Sequence, residues 1–190
     1  GRTMVGEVNG SDKYDYFLSC ALYLINSALT HKDLVSFFAF SDQVHELISR
    51  KKEYRYFQNI YLGKDRLKPR TVESRYDLLT QTLGRLAGQR AIVVVLADLT
   101  SPSAQNLIYE EVKRFSDQHL VIVVSLSDRE QNLFKAVTSF TDEEVQKMSR
   151  EKQAEVFYKM WRQSNYLDTV SRLSGIGVTG LQLDDDVWLT

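Results

Sequence analysis

Asp98-Leu99-Thr100-Ser101 is the segment whose residue types best suit chemistry. It follows an apolar run, residues 91–97, that reads as a strand. A carboxylate beside two hydroxyls at a strand end is a hard oxygen donor set. It suits Mg²⁺ or Mn²⁺, or a phosphate or carboxylate ligand held through such an ion. The same residues can also cap the helix that follows, because a side-chain oxygen at a helix start satisfies a free backbone N–H. Asp42 and Asp128 follow two further apolar runs, residues 34–40 and 120–126, and read as turn and cap residues.

The other chemistry-bearing types point less sharply. His31, His45 and His119 are scattered, lack metal-ligand spacing and read as surface or loop residues. Cys20 falls on the apolar side of the first helix and reads as a buried, inert thiol. Tyr54-Arg55-Tyr56-Phe57 mixes base and aromatic as single-strand binders do, but without a wider basic surface it reads as an amphipathic helix covering the core. Asp184-Asp185-Asp186 reads as a solvated tail. The chain has no G-x-x-x-x-G-K-[ST], no G-x-G-x-x-G and no G-x-S-x-G.

The elements that must position Asp98 come from hydrophobic periodicity. Residues 11–29 carry two interleaved stripes, Phe17, Ala21, Leu24, Ala28 and Leu18, Leu22, Ile25, Leu29, which predict a helix pressed onto a sheet. Residues 34–40 predict a strand, Ser41-Asp42-Gln43 a turn and residues 44–48 its hairpin partner. Helices are expected over 53–62, ending near Gly63, and over 74–86, with Leu79, Leu83 and Leu86 inward and Gly88 beyond the end. The 91–97 and 120–126 runs are short and β-branched, which predicts strands buried on both faces. Ser101-Pro102 opens a helix between them, giving a βαβ unit. A long helix is expected over 141–173, with a capping box at Thr141 and a stop at Gly175, then a last edge strand over 178–183. This order implies an α/β fold, a three-layer α/β/α sandwich with a mostly parallel sheet.

Composition bounds the function. The 190 residues suit one ordinary domain, and 43% hydrophobic with 26% charged residues is a globular profile. With 24 Lys and Arg against 25 Asp and Glu, the global charge favours neither nucleic acid nor an anionic membrane. One cysteine excludes an intramolecular disulfide and any multi-cysteine metal site. No apolar run is long enough for a transmembrane helix. Gly1-Arg2-Thr3-Met4 is neither a signal peptide nor an initiator, so the expectation is a fragment of a longer protein.

Gly1-Arg2-Thr3-Met4, a long helix and then the 31–42 segment, HKDLVSFFAFSD, together resemble a von Willebrand factor A (vWA)-like domain. The nearer resemblance is to domain of unknown function 58, a bacterial family of vWA-like proteins. The segment from Gln89-Arg90-Ala91 to Asp98-Leu99-Thr100 fits that family's pattern of Arg, hydrophobic strand and Asp-Leu. The resemblance implies one Rossmann-like vWA domain over residues 1–190 with a metal-ion-dependent adhesion site at the top of its sheet.

By the same resemblance, Thr3 matches the last hydroxyl of the D-x-S-x-S motif, and Gly1 falls on its middle serine. Thr71 or Ser74 would supply the loop hydroxyl, with Arg75 close by, and Asp98 matches the later Asp. The constellation is degenerate, so Mg²⁺ or Mn²⁺ binding is expected to be weak or absent. The family's first strand precedes D-x-S-x-S. It lies upstream, or residues 1–8 are used differently, or another copy completes the sheet. The resemblance further implies a non-enzymatic interaction module that partners a MoxR-type AAA+ ATPase. It would sit in the cytoplasm or on the cytoplasmic face of the inner membrane, meet a membrane only through segments outside this chain, bind no nucleic acid and be able to form homo-oligomers. An enzymatic alternative is an Mg²⁺-dependent phosphohydrolase or phosphoacceptor domain using Asp98 as nucleophile.

Overall fold

Helix α1, Lys13–Thr30, forms where the apolar stripes predict it, preceded by a short antiparallel pair, β1 (Glu7–Val8) and β2 (Ser11–Asp12). The computed structural model describes residues 4–8, 11–69, 71–86, 90–99, 101–126 and 142–183. Of the two stripes on α1, the one through Leu18, Leu22, Ile25 and Leu29 packs into the core cluster, and of the other Phe17 is buried whereas Leu24 is exposed.

The hairpin of β3 (Val35–Phe40) and β4 (Val44–Lys51) is antiparallel, with Phe37 opposite Ile48 and Phe38 opposite Leu47. Phe37 and Ile48 pack toward α1, while Phe38 and Phe40 stack on each other at 4.9 Å. A register shift near the end of β4 coincides with Arg50 at φ 49, where the Arg50 N–H donates to Ser36 Oγ at 3.0 Å.

Residues 53–62 do not form the single helix expected. Tyr54–Tyr56 is one 3₁₀ turn, α2 is Gln58–Leu62, and a second 3₁₀ turn covers Lys64–Leu67. Phe57 and Ile60, three apart and fully buried, are both drawn into the cluster with Leu18 and Ile25, a spacing that tight turns satisfy. Helix α3 is Asp77–Leu86, shorter at its start than the pattern suggested, with Leu79 and Thr82 buried.

Beyond α3 come β5 (Ile92–Leu96), α4 (Pro102–Lys113), β6 (Leu120–Leu126), α5 (Asp142–Gln146), α6 (Arg150–Gly175) and β7 (Thr179–Leu183). The three strands form a parallel sheet in the order β5-β6-β7, with Val124 paired to Leu181. The middle strand is the buried one: Val121, Val123, Val124 and Ser125 are all inside. Strand β5 departs from the expectation of burial on both faces, because it lies at the edge among the described strands: Ile92 is 69% exposed and Val94 36%.

The helix expected over 141–173 is broken at residues 147–149. Ser149 caps α6 by accepting from the Lys152 N–H, and the Gln153 amide donates to the carbonyls of Val145 (3.0 Å) and Met148 (3.1 Å). The first of those bonds satisfies one of α5's last carbonyls, and the second one in the break itself. Gly175 is still helical; the left-handed residue is Gly177, at φ 73.

The chain is thus α/β, and its residues cluster into two compact units. One comprises Gly1–Ile92 with Asp117–Leu120, the other Val93–Ser116 with Val121–Thr190. The first is cored by α1, the hairpin and α2; in the second, α4 and α6 pack on each other and α6 on β7.

Candidate functional site

Asp98 follows the carboxyl end of β5, buried at 3% exposure, and it is not a free group. Its chain neighbour Leu99 is held from two sides. The Leu99 N–H donates to Ser125 Oγ of β6 at 3.2 Å, and Gln105 Nε2 of α4 donates to the Leu99 carbonyl at 2.7 Å. Gln105 Oε1 in turn lies 3.1 Å from the Thr169 hydroxyl of α6, which also reaches the Asn165 carbonyl at 2.9 Å. Ala97 N–H donates to the Val124 carbonyl at 2.9 Å. The turn carrying Asp98 is therefore pinned to β6, α4 and α6 by buried bonds, which are costly to break inside a low-dielectric interior.

Ser101 takes the N-cap position of α4 with Pro102 behind it, but its side chain does not cap the helix. Its hydroxyl lies 2.7 Å from Ser103 Oγ instead. Thr100 lies outside the described residues, as do Thr3, Gly88, Asp128, Thr141 and Asp184-Asp185-Asp186.

Thr71 and Ser74 belong to the first unit and Asp98 to the second. Thr71 is exposed and Ser74 half-buried. Their loop is tied down at its far end, where the Arg75 N–H donates to the Ser41 carbonyl at 2.8 Å and Tyr76 meets Phe40 edge-on at 6.1 Å. The Arg75 guanidinium, whose charge would repel a cation, pairs with Asp77 at 2.7 and 3.3 Å. That hydrogen-bonded partner holds the Asp77 carboxyl below its usual range.

Sequence reading missed one cluster. Ser41 Oγ is 2.6 Å from Asp42 Oδ1 and 2.6 Å from His45 Nε2. One hydroxyl carries one hydrogen, so Ser41 donates to the ionised carboxylate and His45 must donate from Nε2 to Ser41. An imidazole that donates to the serine cannot take its proton, and Ser41 is buried, so this is a turn lock and not a Ser–His nucleophile. The spacing Ser-Asp-x-x-His at a hairpin turn was its only sequence signal.

A family model described as "Protein of unknown function DUF58" matches residues 5–160. The chain belongs to the DUF58 family. The DUF58 match takes in Thr71, Ser74 and Asp98. No curated protein and no solved structure matches the chain significantly.

Whether a divalent ion suits this DUF58 chain turns on its donors. Asp98, Thr71 and Ser74 each carry hard oxygen donors, the type that suits Mg²⁺ or Mn²⁺ rather than soft metals. They include one carboxylate, and among the described residues no group of three His, Cys, Asp or Glu forms a metal cage. The remaining histidines have local duties: His31 Nδ1 donates to the Ser27 carbonyl at 2.8 Å, and His119 Nδ1 accepts from the Ala91 N–H at 3.3 Å. Burial pushes the Cys20 thiol up, which keeps it un-ionised and unreactive. No helix among the described residues is long and apolar enough to cross a membrane.

Proposed function

We propose that this DUF58 chain is a non-enzymatic protein-interaction module of vWA-like, three-layer fold that partners a MoxR-type AAA+ ATPase. The observation that carries the reading is Asp98: a buried carboxylate at the carboxyl end of a parallel strand, where open α/β sheets bind their ligands. Asp98, with Thr3 and a hydroxyl from Thr71 or Ser74, would hold Mg²⁺ or Mn²⁺ in a degenerate adhesion-type site. The ion would offer an open position to an acidic side chain of the partner. The pairing of Arg75 with Asp77 supports the reading, since it neutralises the cation nearest in sequence to Ser74.

The site belongs to the cytoplasm or to the cytoplasmic face of the inner membrane. The enzymatic alternative is an Mg²⁺-dependent phosphohydrolase or phosphoacceptor domain in which Asp98 attacks the phosphate.

The test is Asp98→Ala. Calorimetric titration of Mg²⁺ and Mn²⁺, then of a MoxR-type ATPase, should show partner binding weakened at least tenfold with the melting temperature preserved. Binding that survives Asp98→Ala removes the metal bridge from the proposal. Turnover of a generic phosphate ester with Mg²⁺, lost in the same variant, would install the enzyme reading instead.

A further inference from the structure

The segment from Arg50 to Lys68 carries a surface that the Asp98 site does not use. It holds seven Lys and Arg against two acids, Glu53 and Asp65, in a chain whose total is net −1. It is anchored from within by Phe57 and Ile60, at 0% and 1% exposure. That anchoring turns Tyr54, Tyr56, Tyr61 and Leu62 outward. At 78% exposure, Leu62 is the most exposed large apolar side chain among the described residues.

Cations decorate the tyrosines. Lys51 Nζ lies 4.6 Å from the Tyr56 ring centre, the Arg55 guanidinium 5.1 Å from the same ring, and Lys64 Nζ 5.7 Å from Tyr61. Arg55, Lys64 and Lys68 are partly offset by Glu53, Asp15 and Asp65 at 2.9, 3.5 and 2.9 Å. Among the described residues, Lys52 and Arg66 have no ion-pair partner.

We propose that this face docks on an anionic lipid surface, with Tyr61 and Leu62 entering the headgroup layer and Lys51, Lys52 and Arg66 meeting lipid phosphates. Three properties coincide here that a lipid interface uses together. Phenol rings have an apolar body and a polar tip, which suits the headgroup level. Lysine and arginine stems lie along apolar matter while their charged ends stay in water. Clustered cations gain energy near an anionic leaflet. A single-stranded nucleic acid needs open ring faces for stacking, but Tyr56 is already attended by two cations, and Leu62 would have no role there. The proposal departs from the expectation that a membrane is met only through segments outside this chain, and it stands independently of the Asp98 site.

The experiment is flotation of the full chain with phosphatidylcholine vesicles, with and without phosphatidylglycerol. The native chain should bind only the phosphatidylglycerol vesicles and be released by salt, which screens the attraction. Lys51→Glu with Lys52→Glu and Arg66→Glu, and separately Leu62→Asp, should each lower partition by about tenfold or more. Reversing Lys113, Lys147 and Lys152, which are exposed elsewhere, should leave it unchanged. Lys51 is half-buried and the other changed positions are exposed, and circular dichroism checks that each variant is folded. Absence of vesicle binding overturns the proposal, as does equal loss in the control variant. So does capture of a single-stranded oligonucleotide or an acidic polypeptide in place of the vesicles.

Discussion

Tyr14 shows how burial and nearby charge together retune a side chain. Its hydroxyl donates to the Lys64 carbonyl at 3.4 Å, and its pKa is pushed up to about 12, first by desolvation and then by the charges of Asp15 and Asp65. A phenol whose pKa is higher folded than unfolded binds its proton more tightly in the native state. The stability it contributes is complete below pH 10.0, its ordinary value, and is lost as pH rises toward about 12. Tyr14→Phe should therefore flatten the alkaline fall of the melting temperature in that window. It should also delete from an ultraviolet titration one phenol that ionises near its raised pKa of about 12. An unchanged titration curve would show that the Tyr14 pKa is not raised. The reverse sign applies to Asp77, whose carboxyl is held low by Arg75: its contribution is lost as pH falls through the acid range.

Between elements, Gln105 is the side chain that ties most together. One buried amide joins the loop after β5, through Leu99, to α6, through Thr169. Gln105→Leu keeps much of the volume but leaves the Leu99 carbonyl without that donor and the Thr169 hydroxyl without that acceptor. Unfolding by denaturant should show a loss of about 1–3 kcal/mol. Thr169→Val in the Gln105→Leu background should cost less than Thr169→Val alone, because the shared bond is already gone. Additive losses would mean that the two residues act separately. The end of α6 is governed by a different constraint. A left-handed backbone at Gly177 turns the chain into β7, and at that position any residue with a Cβ is strained.

At the scale of the whole chain, charge is balanced in sum and segregated in place. The net charge of −1 and the isoelectric point near 6.4 predict a solubility minimum close to that pH, where net repulsion between molecules vanishes. Precipitation by polyethylene glycol across a pH series measures it, and a minimum well away from 6.4 would mean that local charge dominates. Local charge is concentrated in the Arg50–Lys68 segment, which is why a neutral total concealed a basic face. Family membership is likewise a property of the whole: the DUF58 match spans residues 5–160 and crosses both compact units.

Hydrophobic period and caps lie within a few residues of one another, so the sequence by itself determined α1, the β3–β4 hairpin, the strand–helix–strand of β5, α4 and β6, and the edge strand β7. Placing Asp98 at a strand's carboxyl end was legible for the same reason. What the tertiary structure decided involves partners far apart in the chain. Gln105 meets Thr169 across 64 positions and Leu99 meets Ser125 across 26, and no local pattern announces either. Composition gave no sign of two compact units because two of their boundaries fall inside β5 and β6, where no linker is needed, and the third falls in the short connection from α4 to β6. The 3₁₀ turn at Tyr54–Tyr56 was hidden because core packing of Phe57 and Ile60 overrides the helical period. Local signals set which elements exist; long-range packing and hydrogen bonding set how each ends and what holds Asp98 in place.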